Sequence, residues 1–356
     1  MQPGAYGWTD RLVHRMAFDL AIARNLLYDL ETSLYKAQLN STPPPRKPIF
    51  ITALPRAGTT LLLELLAQHP DLATHSYRDM PFILSPLIWR KLSGRFQVNI
   101  DKTARAHDDG MTIDADSPEA FEEVVWRHLA PQLFTRQGIV TCADIAPDIA
   151  MGLRDHMVRL IASRAGETPP PIRYLSKNNA NIARLGALRE HFPDACFVVP
   201  LRPPLDHAQS LLRQHLRFRQ MHGEDAFARR YMHDIGHFEF GDLHRPILFP
   251  GLCDETRDLE PDRLEYWLRY WNCAYRHLMD RDDIIWIDMQ AFTRDTEMPS
   301  LLRRLELSEA PGVIDTAKRT VKPMRSYESP GRVPAEVLET SHSLHRALVR
   351  KSEAGC

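Results

Sequence analysis

An excess of charge of either sign is missing from this sequence. Lys and Arg number 45 against 46 Asp and Glu, for a formal net charge of −1. That balance supplies no global field to draw the chain to nucleic acid or to an anionic membrane, so any polyanion must be held by a local cluster. Cysteine is scarce. Cys142, Cys196, Cys253, Cys273 and Cys356 are odd in number, and no two stand as C-x-x-C. This fits a reducing compartment and argues against a cysteine-based zinc site. No apolar run reaches the roughly 18–20 residues that a membrane span needs. Met1-Gln2-Pro3-Gly4-Ala5 opens without the basic and apolar regions of a secretory signal. The expectation is a soluble, cytoplasmic protein. With 356 residues, 44% hydrophobic and 26% charged, the chain is ordinary globular material with enough length for a large core.

Periodicity organises the chain. Over residues 8–38, Val13, Met16, Leu20, Ala23, Leu27, Leu30 and Leu34 alternate spacings of three and four, an a/d seam of about three heptads. Such a helix either packs on its own domain or pairs two copies as a homodimer. Ser41-Thr42-Pro43-Pro44-Pro45 is a stiff linker. It separates an N-terminal helical extension, 1–42, from a single domain, 43–356. Buried strands are expected at Ile49–Ala53, Ile172–Leu175, Cys196–Leu201 and Ile284–Asp288. Helical stretches alternate with them, including Thr59–His69, Pro118–Leu129, Asp148–Arg164, Leu205–His222 and Asp262–Asp280. The pattern predicts an α/β fold of three layers, a parallel sheet flanked by helices on both faces. In such sheets ligands bind beyond the carboxyl ends of the strands. Arg56, Lys177 and Arg202 each fall just after an expected strand, so all three should converge on one edge. The segment Phe240–Leu259, rich in Gly, Pro and Asp, reads as an insertion or a loop over the substrate.

The first expected strand runs into Leu54-Pro55-Arg56-Ala57-Gly58-Thr59-Thr60. Backbone N–H groups at such a turn, with the positive end of the following helix, make an anion site. It is not a Walker A loop: no glycine precedes Gly58 at the required distance, and no lysine follows it. Two further segments accompany it, Leu175-Ser176-Lys177-Asn178-Asn179 and Val199-Pro200-Leu201-Arg202-Pro203-Pro204 with Ser210 beyond. Arg202 and Ser210 stand eight apart, on one face of the helix that begins near Pro203.

Together these segments resemble the PAPS-dependent sulfotransferases, in the branch whose loop reads P-R-S-G-T-T. The likeness extends through Tyr266–Trp271 and Ile284–Phe292 and covers roughly residues 48–307. It implies a P-loop-like sheet and sulfuryl transfer from 3′-phosphoadenylyl sulfate (PAPS) to a hydroxyl acceptor. The product is adenosine 3′,5′-bisphosphate (PAP), and no metal is needed. Arg56, Ala57, Gly58, Thr59 and Thr60 would hold the 5′-phosphosulfate, and Arg202 and Ser210 the 3′-phosphate. Lys322, in Lys318-Arg319-Thr320-Val321-Lys322, is the basic cluster nearest in place to the C-terminal loop of cytosolic members. Ala57 departs from the usual Ser. Arg56 and Lys177 suit an electrostatic clamp on the leaving phosphate. For the general base, Asn179 stands where cytosolic members carry His, and an amide takes no proton at neutral pH. Asp79 is the first choice instead, with His75 and His107 as alternatives. The acidic run from His107 through Asp116 to Glu123 lacks calcium-loop spacing and is assigned no metal. Trp89, Trp126, Phe218 and Tyr231 line either an acceptor pocket or the core. Two other readings stay open: a binding protein for PAP or PAPS without turnover, and a P-loop phosphotransferase.

Overall fold

The computed structural model describes residues 21–93, 103–104, 112–113, 116–166, 171–295, 297–322 and 333–354. At its centre is a parallel five-stranded sheet. Its strands are β1 (Ile49–Ile51), β2 (Leu72–Ala73), β3 (Arg173–Lys177), β4 (Cys196–Leu201) and β5 (Ile284–Asp288), in the order β2-β3-β1-β4-β5. All four expected strands form, joined by the short edge strand β2. β1 is central: Ile49 pairs with Leu175 on one side and Cys196 on the other.

Every residue of β1 and β3 is buried, as strands covered on both faces must be. Side chains nevertheless alternate between faces. Phe50, Tyr174, Phe197, Val199 and Leu201 enter one core cluster. Ile49, Ile51, Leu175 and Val198 enter the other, with Leu62, Leu63 and Leu66 of the helix α2 (Thr59–Leu66). The first core is much the larger. It takes in α3 (Glu122–Leu129), α4 (Pro147–Ser163), α5 (Pro204–Glu224), α6 (Leu264–Leu278) and α7 (Ala335–Ala354). Pro147 and Pro204 open their helices at a position where a missing N–H costs no hydrogen bond.

The N-terminal helix α1 (Ala21–Leu34) docks on its own domain. Buried Glu31 accepts from Arg159 Nη1 of α4 at 3.1 Å and from the Ile88 N–H at 2.9 Å. Leu26, Leu30 and Leu34 remain exposed along another face. The seam residues Val13, Met16 and Leu20 lie outside the described residues. No helix among the described residues is long and apolar enough to cross a membrane.

The strand order has a consequence for function. From central β1 the chain moves to one side, through β2 and β3, and then to the other, through β4 and β5. That makes β1 a topological switch point, where the loops beyond neighbouring strands diverge and leave a crevice. The loops after β1 and β4 carry Arg56 and Arg202, and Lys177 ends β3 at the same edge.

Candidate active site

The loop after β1 is held in a conformation that its sequence resists. Gly58, at the N-cap of α2, has φ 111°, and Arg56 has φ 71°. A Cβ on Gly58 would also meet Met289 Cε at 2.7 Å, so glycine is required there on two counts. Arg56 has no such freedom. A non-glycine residue in the left-handed region costs of order 1 kcal/mol or more and persists only where surroundings impose it. Here the surroundings are visible. Arg202 Nη1 donates to the Arg56 carbonyl at 3.2 Å, and His207 Nε2 donates to the Pro55 carbonyl at 2.7 Å. The Arg56 side chain is thereby aimed at α5, where its Nε lies 3.4 Å from Ser210 Oγ.

Arg56, Arg202 and Ser210 therefore form one contiguous group at the switch point, as their positions in the sequence suggested. Arg202 and Ser210 are both buried. His207, one turn before Ser210, was missed by sequence reading. Its i, i+3 spacing to Ser210 was the available signal. Its ring is neutral, because burial and the nearby Arg202 push its pKa down to about 3.

Lys177 is the last residue of β3 rather than the first beyond it, and it is buried. Asn178 and Asn179 follow and are fixed by separate networks. Asn178 Nδ2 donates to Glu123 Oε2 at 2.7 Å. Glu123 in turn takes two bonds from the fully buried Arg184, at 2.7 and 2.9 Å. Asn179 bridges the phosphate loop and the far wall. Its Oδ1 accepts from Thr59 Oγ1 at 3.2 Å, and its Nδ2 donates to Glu239 Oε1 at 3.3 Å. These partners settle which end of the amide is oxygen.

A cleft opens beside this edge. Pro55, Lys177, Asn178, Asn179, Glu123, Glu239, His244, Arg245, Phe238, Trp267 and Tyr270 are among the residues that line it. Sequence reading missed Glu239 and Arg245. Glu239 lies just before, and Arg245 within, the aperiodic Phe240–Leu259 stretch that reads as an insertion or a loop over the substrate. That stretch is tied to the body by Ile247–Leu248, which pairs in parallel with Ile139–Val140.

The expected bases are elsewhere. Asp79 closes a capping box with Ser76, accepting from its backbone N–H at 2.8 Å, and accepts from Arg164 Nη2 at 2.9 Å. His75 Nδ1 lies 3.3 Å from the same carboxylate oxygen, and His75 Nε2 lies 2.9 Å from His156 Nε2. Burial works against the charge on Asp79. Arg164, His75 and the Ser76 N–H outweigh it and hold the carboxyl below the usual carboxylate range. Both residues follow edge strand β2, and neither lines the cleft. His107, with Asp108 and Asp109, lies outside the described residues. Lys322 is exposed and makes no hydrogen bond or ion pair among the described residues. Trp126, Phe218 and Tyr231 are core residues, and Trp89 donates to the Met80 carbonyl at 2.6 Å. None of the four lines the cleft.

His244 of the cleft wall and His215, whose ring stands 5.5 Å from it, carry a pH dependence. Burial, reinforced by neighbouring His215, lowers His244 to about 3, and burial with nearby Arg219 lowers His215 to about 4. The ordinary value is 6.5. The unfolded chain takes these protons first as pH falls, so folding stability drops from about pH 6.5 downward. The lowered pKa of Asp79 acts in the same direction at lower pH. A urea midpoint measured from pH 7 to pH 4 should fall steadily, and a flat profile would contradict this assignment.

Comparison with known proteins follows the same lines. The model of the sulfotransferase family matches residues 48–241, more than half of the chain. The solved sulfotransferase STF9 from Mycobacterium avium aligns with a TM-score of 0.51 at 14% identity, over 97% of this chain and 84% of that one. Sulfotransferase STF1 from Mycobacterium tuberculosis H37Rv aligns with a TM-score of 0.47 at 16% identity, over 94% and 86%. No curated protein matches. The first alignment speaks for the shared α/β fold. The family match spans the strained loop, Lys177, Arg202 and Ser210 together, so the chain belongs to the sulfotransferase family.

Proposed function

We propose that this protein transfers the sulfuryl group of PAPS to a hydroxyl acceptor. The observation that carries the reading is the single group formed by Arg56, Arg202 and Ser210 at the switch point, with Lys177 on the adjacent strand end. Its chemistry fits a nucleotide with anions at both ends. Two guanidiniums, an ammonium, hydroxyls and the amino end of α2 are all donors or cations, and none is an acceptor-only group. Arg202 and Ser210 would hold the 3′-phosphate. The Pro55–Thr60 backbone would hold the 5′ end, and Ala57 in place of Ser removes a hydroxyl but no backbone donor. Sulfuryl transfer resembles phosphoryl transfer in that the protein chiefly positions the reactants and stabilises charge. Arg56 and Lys177 neutralise the phosphate as its bond to sulfur breaks.

For the base we read Glu239 in preference to Asp79. Glu239 lines the cleft beside Lys177, and its one side-chain hydrogen bond among the described residues is to Asn179. The acceptor oxygen forms the new bond to sulfur and its proton passes to the Glu239 carboxylate. Asp79, already committed to Arg164, acts in this reading as a structural anion. Glu239→Gln should abolish transfer with PAP binding unchanged, whereas Asp79→Asn should lower stability more than it lowers transfer. The reverse pattern would return the base to Asp79.

Nucleotide class is the first test. At a hundredfold excess over Kd, a ligand specific for the folded state stabilises it by about 2.7 kcal/mol. PAP should therefore raise the melting temperature, and Arg202→Ala should remove most of that rise. A shift with ATP–Mg²⁺ alone would favour the phosphotransferase. PAP binding with no transfer to any hydroxyl class would favour the binding protein. Free Cys142, Cys196, Cys253 and Cys273 support a cytoplasmic setting. The exposed Leu26–Leu30–Leu34 row supports pairing of two copies, which a monomeric mass at micromolar concentration would remove.

A further inference from the structure

The cleft holds one cation that nothing so far described employs. Arg245 lines it, half-buried, with its guanidinium 4.5 Å above the Phe238 ring. The other charged groups in the cleft have assignments. Glu123 is closed off by Arg184 and Asn178. Lys177 belongs to the donor side, and Glu239 is oriented by Asn179. The Arg245 guanidinium makes no hydrogen bond and no ion pair among the described residues. Glu239 is six residues away, and its side chain bonds Asn179 instead.

The backbone keeps Arg245 in place. Its N–H donates to the Phe238 carbonyl at 2.8 Å, and His244 Nδ1 bonds the Glu239 carbonyl at 2.7 Å. The segment thus closes on itself and presents Glu239 and Arg245 to the same cleft. Stacking on an aromatic face fixes the plane of a guanidinium and leaves its N–H edge available. A planar edge of this kind matches a carboxylate, which it can bind through two parallel hydrogen bonds.

We propose that the cleft selects acceptors that carry an anionic group, a carboxylate first of all, in addition to the hydroxyl to be sulfated. Arg245 binds the anion, Glu239 receives the hydroxyl proton, and Phe238, Trp267 and Tyr270 offer apolar wall for an aryl body between them. The inference rests on the sulfotransferase reading.

The test uses the full chain saturated with PAP and three probes differing in one remote group: 4-hydroxyphenylacetate, 4-hydroxyphenylacetamide and tyramine. Calorimetry should give 4-hydroxyphenylacetate at least about tenfold higher affinity than the amide, the scale of a hydrogen-bonded charge pair. Arg245→Gln should erase that ratio, and Arg245→Lys should keep part of it. PAP affinity, unchanged in both variants, reports that they are folded. Equal binding of acid and amide, preference for tyramine, binding of none of the three, or a ratio that survives Arg245→Gln each overturns the inference alone. Failure of the wild-type protein to bind PAP overturns the sulfotransferase reading and the inference with it.

Discussion

Replacing Lys177 with alanine should slow sulfuryl transfer about a hundredfold to a thousandfold while PAP still binds. Lys177 ends β3, and the loops after β1 and β4 bring Arg56 and Arg202 to the same edge. A buried ammonium acts through a lower effective dielectric than a surface one, so its effect on charge developing in the transition state is large. Loss of one preorganised oxyanion donor typically costs about 2.7–4 kcal/mol of transition-state stabilisation. Arg56→Ala should give a loss of the same order. Alanine keeps the Cβ, so the left-handed strain at this position is unchanged and folding should be little affected. Single-turnover rates with bound PAPS separate the two effects. A Lys177→Ala protein that transfers at the wild-type rate, with PAP affinity reduced instead, would make Lys177 a binding group and not part of the clamp.

The second large effect is on stability. Arg184→Ala should destabilise the fold by about 3–5 kcal/mol, because it leaves a buried carboxylate without its counter-charge. Arg184 is fully buried, makes two hydrogen bonds to Glu123 and lies 4.7 Å above the Trp126 ring. Glu123 also orients Asn178, which follows Lys177 directly. The loss should therefore reach the site as well as the core. Urea denaturation measures the first, and PAP affinity of the remaining folded protein the second. The paired change Glu123→Gln with Arg184→Met should recover much of the stability, since removing both charges avoids the stranded anion. A loss of less than about 1 kcal/mol in the single variant would mean that water reaches the Glu123 carboxylate.

Sequence and tertiary structure divide this protein at a clear physical line. Runs such as Ile49–Ile51 and Cys196–Leu201, set between helical stretches, announce a parallel sheet because local apolar pattern alone encodes element type. The parallel sheet then puts the residues after its strands on one edge, so Arg56, Lys177 and Arg202 were legible before any fold was seen. Ser210 was legible for a related reason, since helical periodicity ties it to Arg202. Arg184 was not, because nothing in its neighbourhood says that its partner stands sixty-one residues earlier. Asp79 illustrates the opposite case. In sequence it is the first choice of base; only packing shows that its carboxylate accepts from Arg164 and the Ser76 N–H. Glu239 and Arg245 sit in a segment with neither period nor motif, and the tertiary structure alone turns them toward Lys177. Local chemistry thus set the sheet and the placing of Arg56, Lys177 and Arg202 at its edge, the side proposed to hold the donor. The cleft wall proposed to take the acceptor was decided by long-range packing, because the partners that burial leaves a charged side chain determine what it can do.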